Sequence, residues 1–461
     1  MIGIYCATDY GIVGDGQTNN TAAFNSLLQK IGENGGGTLY VPPGEYVTGS
    51  LFLESNTTLY IEGGATILGS ADRADYPVID ENVVAGWFGK MYRGLIAARS
   101  AVNITVDGRG LINARGQNWW YDRGAFRGPV ERPRTIQFLD CENVLIRGIT
   151  ITNSPMWTVH PLRCRNVTID GITIKNPWDS PNTDGINPEA CQMVHISNCH
   201  IDVGDDCITL KAGTQRDVFR RAPCEDITIT NCTMINGHGG VVMGSEMSGG
   251  VRNVVISNCI FNGTDRGIRI KTQRGRGGCV ENLRVTGIVM NDVFCPFVLN
   301  SYYKPHGPSE DPIFSVDAMP VDEGTPVFKN VALSGITATN VSACALFLYG
   351  LPESPISGIT VTDYHVKFKT GHVEPQETSM ANKIPYMAKA GIFLRNGEDC
   401  TFRNVRIDTD GEGNPLEMEN CNFVSINGFD TRKWPADSII QMKNCKSVSI
   451  ADVGDRKAVT I

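Results

Sequence analysis

Three carboxylates and a few cations carry the chemistry in this sequence. Asp184 closes the run Ser-Pro-Asn-Thr-Asp, and the adjacent pair Asp205 and Asp206 follows 21 and 22 residues later. Neighbouring like charges repel, and folding alone gains nothing from that. Catalysis does gain. Crowded carboxyl groups do not all ionise, so one keeps a proton to donate while the others stay anionic and activate water. With no metal-ligating histidines beside them, the set points to acid/base hydrolysis of an acetal. Further along, His238 lies between glycines, and Arg269 and Lys271 are two apart in Arg-Ile-Lys. On a strand these two cations face the same side. The stretch 266–278 holds five basic residues and no acid, which makes it a candidate anion site. Taken singly, each piece reads as a turn or a solvated strand; their order and spacing are what join them.

An internal repeat must position these residues. NVLIRGITITN (143–153) recurs as NVTIDGITIKN (166–176), MVHISNCHIDV (193–203), DITITNCTMIN (226–236), NVVISNCIFNG (253–263) and NLRVTGIVMND (282–292), with weaker copies to 455. Each copy is a short β-branched strand, a turn at Asn or Gly, and a second strand. This period predicts an all-β, single-domain parallel β-helix over residues 1–461, with coils from about 38 to 455. A β-sandwich or propeller is the competing architecture. Asn198, Asn231 and Asn258 share one repeat position and are expected to form a side-chain ladder. Cys199, Cys232 and Cys259 share the next and are expected to fill the core.

Repeat phase then becomes geometry. Asp205 lies seven residues after Asn198, and His238 seven after Asn231. Asp184, Lys211 and Lys271 each lie thirteen after a coil's turn residue. The acids, His238, Arg269 and Lys271 are therefore expected on one face. The amphipathic run 19–31, with Phe24, Leu27, Leu28 and Ile31 on one side and Gly32 after its end, predicts a helix capping the open end of the solenoid. The gaps 293–329 and 365–397 are expected to be loops, with 72–100 and 300–328 as candidate cleft-blocking insertions.

Composition narrows the function classes. The 461 residues carry a net charge of −8 with 20% charged residues, which argues against a nucleic-acid partner, as does a basic patch without interleaved aromatics. No run of 18 apolar residues occurs, so no membrane-spanning helix is expected. Fifteen cysteines, an odd number and without a CxxC pair, are expected to be reduced core residues rather than a zinc site. No cofactor and no metal is expected. The opening residues show no signal-peptide pattern, so a cytoplasmic location is expected for the chain as given, or a secreted or periplasmic one if a leader precedes it. Nothing in the sequence specifies an oligomeric state.

The motifs NTD (182–184), GDD (204–206), GHG (237–239) and RIK (269–271) resemble, in order, the four motifs of glycoside hydrolase family 28, the polygalacturonase family. The resemblance runs from about residue 10 into the C-terminal repeats. It implies a right-handed parallel β-helix and inverting hydrolysis of α-1,4-galacturonosyl bonds in pectic oligo- or polysaccharides. It implies that Asp205 is the general acid, that Asp184 and Asp206 hold and activate the water, and that His238 hydrogen-bonds near the acid. Asn182, Arg269, Lys271 and Tyr303 would bind the substrate, with the two cations gripping a galacturonate carboxylate. An inverting pair is expected to stand roughly 6.5–9.5 Å apart. GSEMSGG (244–250) and RIKTQRGRGG (269–278) resemble bacterial exo-acting members. Arg274 and Arg276 are expected to add carboxylate contacts, and Trp119, Trp120, Tyr121 and Trp178 to wall a cleft. The alternatives are a hydrolase of xylogalacturonan or rhamnogalacturonan, a calcium-dependent pectate lyase, and a non-catalytic β-helix binder.

Overall fold

The computed structural model describes residues 3–80, 90–120, 130–214, 222–305, 308–411, 414–430, 432–435, 440–453 and 458–460. Tyr121 lies outside them. The chain divides into two compact units: Met1–Thr209 with Cys224–Cys232, and Leu210–Pro223 with Thr233–Ile461.

In the first unit the repeat strands stack in parallel and in register. Thr57–Ile61, Val102–Gly108, Glu142–Arg147, Arg165–Asp170, Gln192–Ser197 and Cys224–Thr230 follow one another. Their alternation of buried and outward residues places Val144, Val167, Val194 and Ile227 in one buried column and Ile146, Ile169, Ile196 and Ile229 in another. Each such aliphatic side chain stabilises the stack by about 1.5–3 kcal/mol. The second copy within each repeat forms its own parallel ladder through Leu111–Asn113, Thr150–Thr152, Thr173–Lys175 and His200–Val203. A third runs through Leu51–Phe52, Ile96–Arg99, Ile136–Leu139 and Val159–Leu162, and bridges at Ile186 and Ile208 continue it.

The second unit repeats the pattern. Cys279–Asn291, Val327–Val341, Ile356–Phe368, Gly397–Asp408, Asn422–Asp430 and Lys446–Ala451 stack in parallel. So do Val241–Gly244, Arg266–Lys271, Cys295–Asn300, Cys344–Tyr349 and Ala390–Arg395. Parallel pairing throughout these ladders excludes a sandwich or a propeller, whose neighbouring strands are antiparallel. The fold is a parallel β-helix.

The capping helix runs over Thr21–Glu33, two residues later than expected at each end, and buries Phe24, Leu27, Leu28 and Ile31. Asn25 explains why it stays on the stack. Its side-chain amide donates to the Ser50 carbonyl at 2.8 Å and its oxygen accepts from the Phe52 amide at 2.9 Å, which satisfies an otherwise open strand. Coils also begin earlier than residue 38, because Gly3–Cys6 pairs with Gly37–Val41.

The asparagine ladder occupies a different position from the one expected. Asn198, Asn231 and Asn258 all have left-handed φ values of 58°, 55° and 54°; the side chain of Asn198 bonds Asp170 rather than another asparagine. That position selects Asn for its tolerance of left-handed backbone. The ladder itself runs through Asn56, Asn103, Asn143 and Asn166, amide to carbonyl at 2.8, 2.9 and 2.8 Å. All fifteen cysteines are free thiols and most, including Cys199, Cys232 and Cys259, are buried as expected, whereas Cys6, Cys279 and Cys445 are only half-buried.

Candidate active site

In the first unit the three acids meet. One carboxylate oxygen from each of Asp184, Asp205 and Asp206 lies within 4.8 Å of the others. Asp184 and Asp206 are buried, whereas Asp205 is half-buried. Asp184 sits at the end of the Pro181–Asn182–Thr183 turn, where its carbonyl accepts from the Thr158 amide at 2.8 Å. Its Oδ2 accepts from Asn187 Nδ2 at 2.9 Å and Thr209 Oγ1 at 3.4 Å. The Asp206 carbonyl accepts from the Gly185 amide at 3.0 Å, and Asp205 Oδ1 accepts from the Asp206 amide at 2.9 Å. Gly204 is needed for this close approach, since a Cβ there would stand 2.6 Å from the Ser180 carbonyl oxygen.

Two expectations change here. Asp184 stacks with Asp206, not with Lys211, because Ile186 bridges Ile208. From the paired residues Lys175 and Asp202, the chain takes eleven residues to reach Ile186 but only six to reach Ile208. The loop before Asp184 absorbs the difference. The acids are also closer than the roughly 6.5–9.5 Å of a separated acid and base. Two acceptors that share one tetrahedral water at about 2.8 Å each stand about 4.5 Å apart. The observed span therefore fits one water held by two carboxylates. It is also compact enough to share a cation, so chelator belongs in any assay of this site.

In the second unit, Arg266–Lys271 is a wholly buried strand. Arg269 and Lys271 point to one side, as their spacing requires, and their charged ends lie 5.6 and 5.4 Å from the centroid of the Tyr303 ring. Tyr302 is elsewhere: it is buried, stacked on Tyr349 at 4.3 Å and covered by Arg274. Tyr303 is thus the tyrosine at the cationic pair.

His238 Nδ1 pairs with Asp265 Oδ2 at 2.8 Å, and Arg266 Nη1 reaches the same oxygen at 3.2 Å. Burial pushes the Asp265 carboxyl up, but the His238 hydrogen bond and the Arg266 charge outweigh it and hold the group below the usual carboxylate range. Sequence reasoning missed Asp265. The signal was present: it lies seven residues after Asn258, as His238 does after Asn231.

The five-cation stretch is mostly committed within the fold. Arg274 makes a bidentate pair with Glu353 at 2.5 and 2.9 Å and donates to the carbonyls of Ile313, Ser315 and Asp317. Arg276 bonds Ser245 at 2.8 Å and reaches Glu246 at 3.4 Å. Both are therefore structural contacts rather than the added substrate contacts expected of them. Lys211 likewise pairs with Glu246, at 3.0 Å, with both side chains buried.

The residues 377–382, from a loop that carries no repeat, also reach this strand. Arg266 donates to the carbonyls of Glu377 and Thr378 at 2.7 and 2.9 Å. Arg269 Nη2 lies 2.9 Å from Met380 Sδ. Tyr303 and Ala381 form an antiparallel bridge.

The aromatic expectations divide. Trp119 is core, packed edge-on between Tyr76 and Tyr92 at 5.1 Å from each. Trp120 is half-buried and donates to the Ser154 carbonyl at 3.0 Å. Trp178, 73% exposed, is the one of the three described that is open to a ligand.

Comparison with known proteins agrees with this geometry. The family model "Glycosyl hydrolases family 28" matches residues 37–390. The chain belongs to that family. It is 36% identical over 430 residues to a probable polygalacturonase of Vitis vinifera, covering 90% of this chain and 82% of that protein. Among solved structures, an exopolygalacturonase from Thermotoga maritima matches with a TM-score of 0.73 and 29% identity, covering 88% of this chain and 92% of that one. A family 28 exopolygalacturonase from Yersinia enterocolitica, at 21% identity and a TM-score of 0.68 over 100% of this chain and 79% of that one, shares the fold. The chain is thus a glycoside hydrolase built as a right-handed parallel β-helix.

Proposed function

We propose that this glycoside hydrolase cleaves α-1,4-galacturonosyl bonds of pectic oligosaccharides and releases monogalacturonate from a chain end, with inversion because the short carboxylate span holds one water for direct attack on the anomeric carbon. The observation that carries the reading is the set of three carboxylates within 4.8 Å, two buried and one half-open. Asp205, the open one, gives its proton to the departing glycosidic oxygen. Asp184 and Asp206 orient a water and take its proton as its oxygen bonds to the anomeric carbon and the glycosidic bond breaks. Arg269 and Lys271 bind the galacturonate carboxylate, with Tyr303 as the wall beside them. Asp265 orients His238. Asn182 Oδ1 accepts from Arg132 Nη2 at 2.8 Å, and its amide nitrogen is assigned to a sugar hydroxyl.

One observation favours chain-end cleavage: the Thermotoga structure at 29% identity is an exopolygalacturonase. The fifteen free thiols fit a reducing compartment and short, already imported substrates.

The test is trigalacturonate labelled at its reducing end, incubated with EDTA and followed by chromatography and absorbance at an unsaturated-product wavelength. Stepwise release of saturated monogalacturonate is the expected result. Unsaturated product that appears only without EDTA would mean a metal-dependent lyase. A ladder of internal fragments would mean endo cleavage.

A further inference from the structure

We propose that Arg132 is a positioning residue for the three carboxylates, acting through the turn that leads into Asp184. The inference rests on the acid/base role assigned to those carboxylates above. Arg132 is buried, and its guanidinium spans three acceptors. Nη1 donates to the carbonyls of Pro155 and Pro181, and Nη2 to Asn182 Oδ1, each at 2.8 Å. Pro155 follows the strand Thr150–Thr152 of the preceding coil, so one side chain ties that coil to the Pro181–Asn182 turn. Arg132 is itself held: its carbonyl accepts from Arg134 Nη1 at 3.2 Å, and the buried Arg134 guanidinium lies 4.7 Å over the Trp157 ring.

This turn needs holding. Asn182 has a φ of 57°, in the left-handed region that L residues enter at a cost. Asp184 follows two residues later. The other two acids lean on the same segment. A Cβ on Gly204 would stand 2.6 and 2.7 Å from the carbonyl oxygens of Ser180 and Pro177, and the Gly185 amide donates to the Asp206 carbonyl at 3.0 Å. The Arg132 fork therefore fixes Pro181 and Asn182, the Thr158 amide holds the Asp184 carbonyl, and Gly204–Asp206 pack against this segment. Only arginine offers donors in that fixed plane; a lysine ammonium is one point charge and does not reproduce the three-way contact.

The test uses the full-length variants Arg132→Lys and Arg132→Ala, with kcat and KM on trigalacturonate and thermal midpoints measured together. Misplacing reacting groups by about 1 Å costs on the order of a hundredfold. We expect kcat to fall about tenfold or more in Arg132→Lys and further in Arg132→Ala, with KM within about threefold. Millimolar guanidinium chloride should restore part of the Arg132→Ala turnover, and the same concentration of potassium chloride should not. If Arg132→Ala does not fold, the Lys variant decides. A folded variant with unchanged kcat, or a loss that follows the thermal midpoint alone without guanidinium recovery, overturns the proposal. Full activity in Asp205→Asn would instead remove the acid/base reading and this inference with it, so the two failures are told apart.

Discussion

Replacing Glu246 by Gln removes one charge and almost no volume, and it tests how the second unit holds its buried cations. Glu246 Oε2 meets Lys211 Nζ at 3.0 Å, with the two side chains only 6% and 5% exposed. Arg276 stands 3.4 Å from the other oxygen, which also accepts from Ser245 Oγ at 3.1 Å. Removing one partner from such a pair costs roughly 3–5 kcal/mol, because the remaining charge is stranded away from water. Replacing Lys211 by Met together with Glu246 by Leu should cost less, since that pair's two charges leave together and Arg276, which loses Glu246, keeps its bond to Ser245. Burial opposes ionisation of Glu246, but the Lys211 and Arg276 charges outweigh it and hold the carboxyl well below its ordinary value of 4.5. A depressed folded-state value stabilises above the unfolded value and ceases to do so as pH falls through the folded one. The gap between wild type and Glu246→Gln should therefore be constant from pH 6 to 8 and should narrow below about pH 4.5. Urea titration at pH 7 and pH 4, followed by tryptophan fluorescence, reads both numbers. A Glu246→Gln variant within about 1 kcal/mol of wild type at pH 7, or a gap that widens on acidification, would refute the reasoning. Activity should fall too, because Gly244, two residues before Glu246, pairs with Lys271.

Asp265→Asn should lower kcat by about ten- to hundredfold, by releasing the His238 ring that the carboxylate orients. Because that carboxyl is held below the usual range, its effect should be constant above about pH 4 and disappear on further acidification; pH–rate profiles of both proteins check this. Trp119→Ala should cost about 3–5 kcal/mol of stability, whereas Trp178→Ala, at an exposed position, should change it by no more than about 0.5 kcal/mol. Denaturant midpoints of the two variants separate the core tryptophan from the surface one.

Much of this was legible in the sequence because a repeat turns spacing into contact. The alternation in NVTIDGITIKN places Val167 and Ile169 inward, and the structure buries both. The seven-residue phase that put His238 in one column also gives Asp265, its observed partner. Phase counting failed where coils differ in length: the loop before Asp184 shifted that acid from Lys211 to Asp206. Charge counting failed in the stretch 266–278, where Arg274 and Arg276 spend their donors on Glu353, Ser245 and Glu246. Those carboxylates come from distant or non-repeating segments, and no period announces them. Met380 was invisible for the same reason, and so was Arg132, whose bonds to the carbonyls of Pro155 and Pro181 and to the Asn182 amide oxygen follow no charge pattern.

The central claim is that adjacent carboxylates, not a metal, drive hydrolysis of a galacturonosyl bond. The most direct measurement is turnover of trigalacturonate by Asp205→Asn beside wild type, both in EDTA and both confirmed folded. The account predicts steady release of monogalacturonate by the wild type and a loss of at least about a hundredfold in the variant with KM little changed. Wild-type activity abolished by EDTA, or an Asp205→Asn enzyme within about tenfold of wild type, would contradict it.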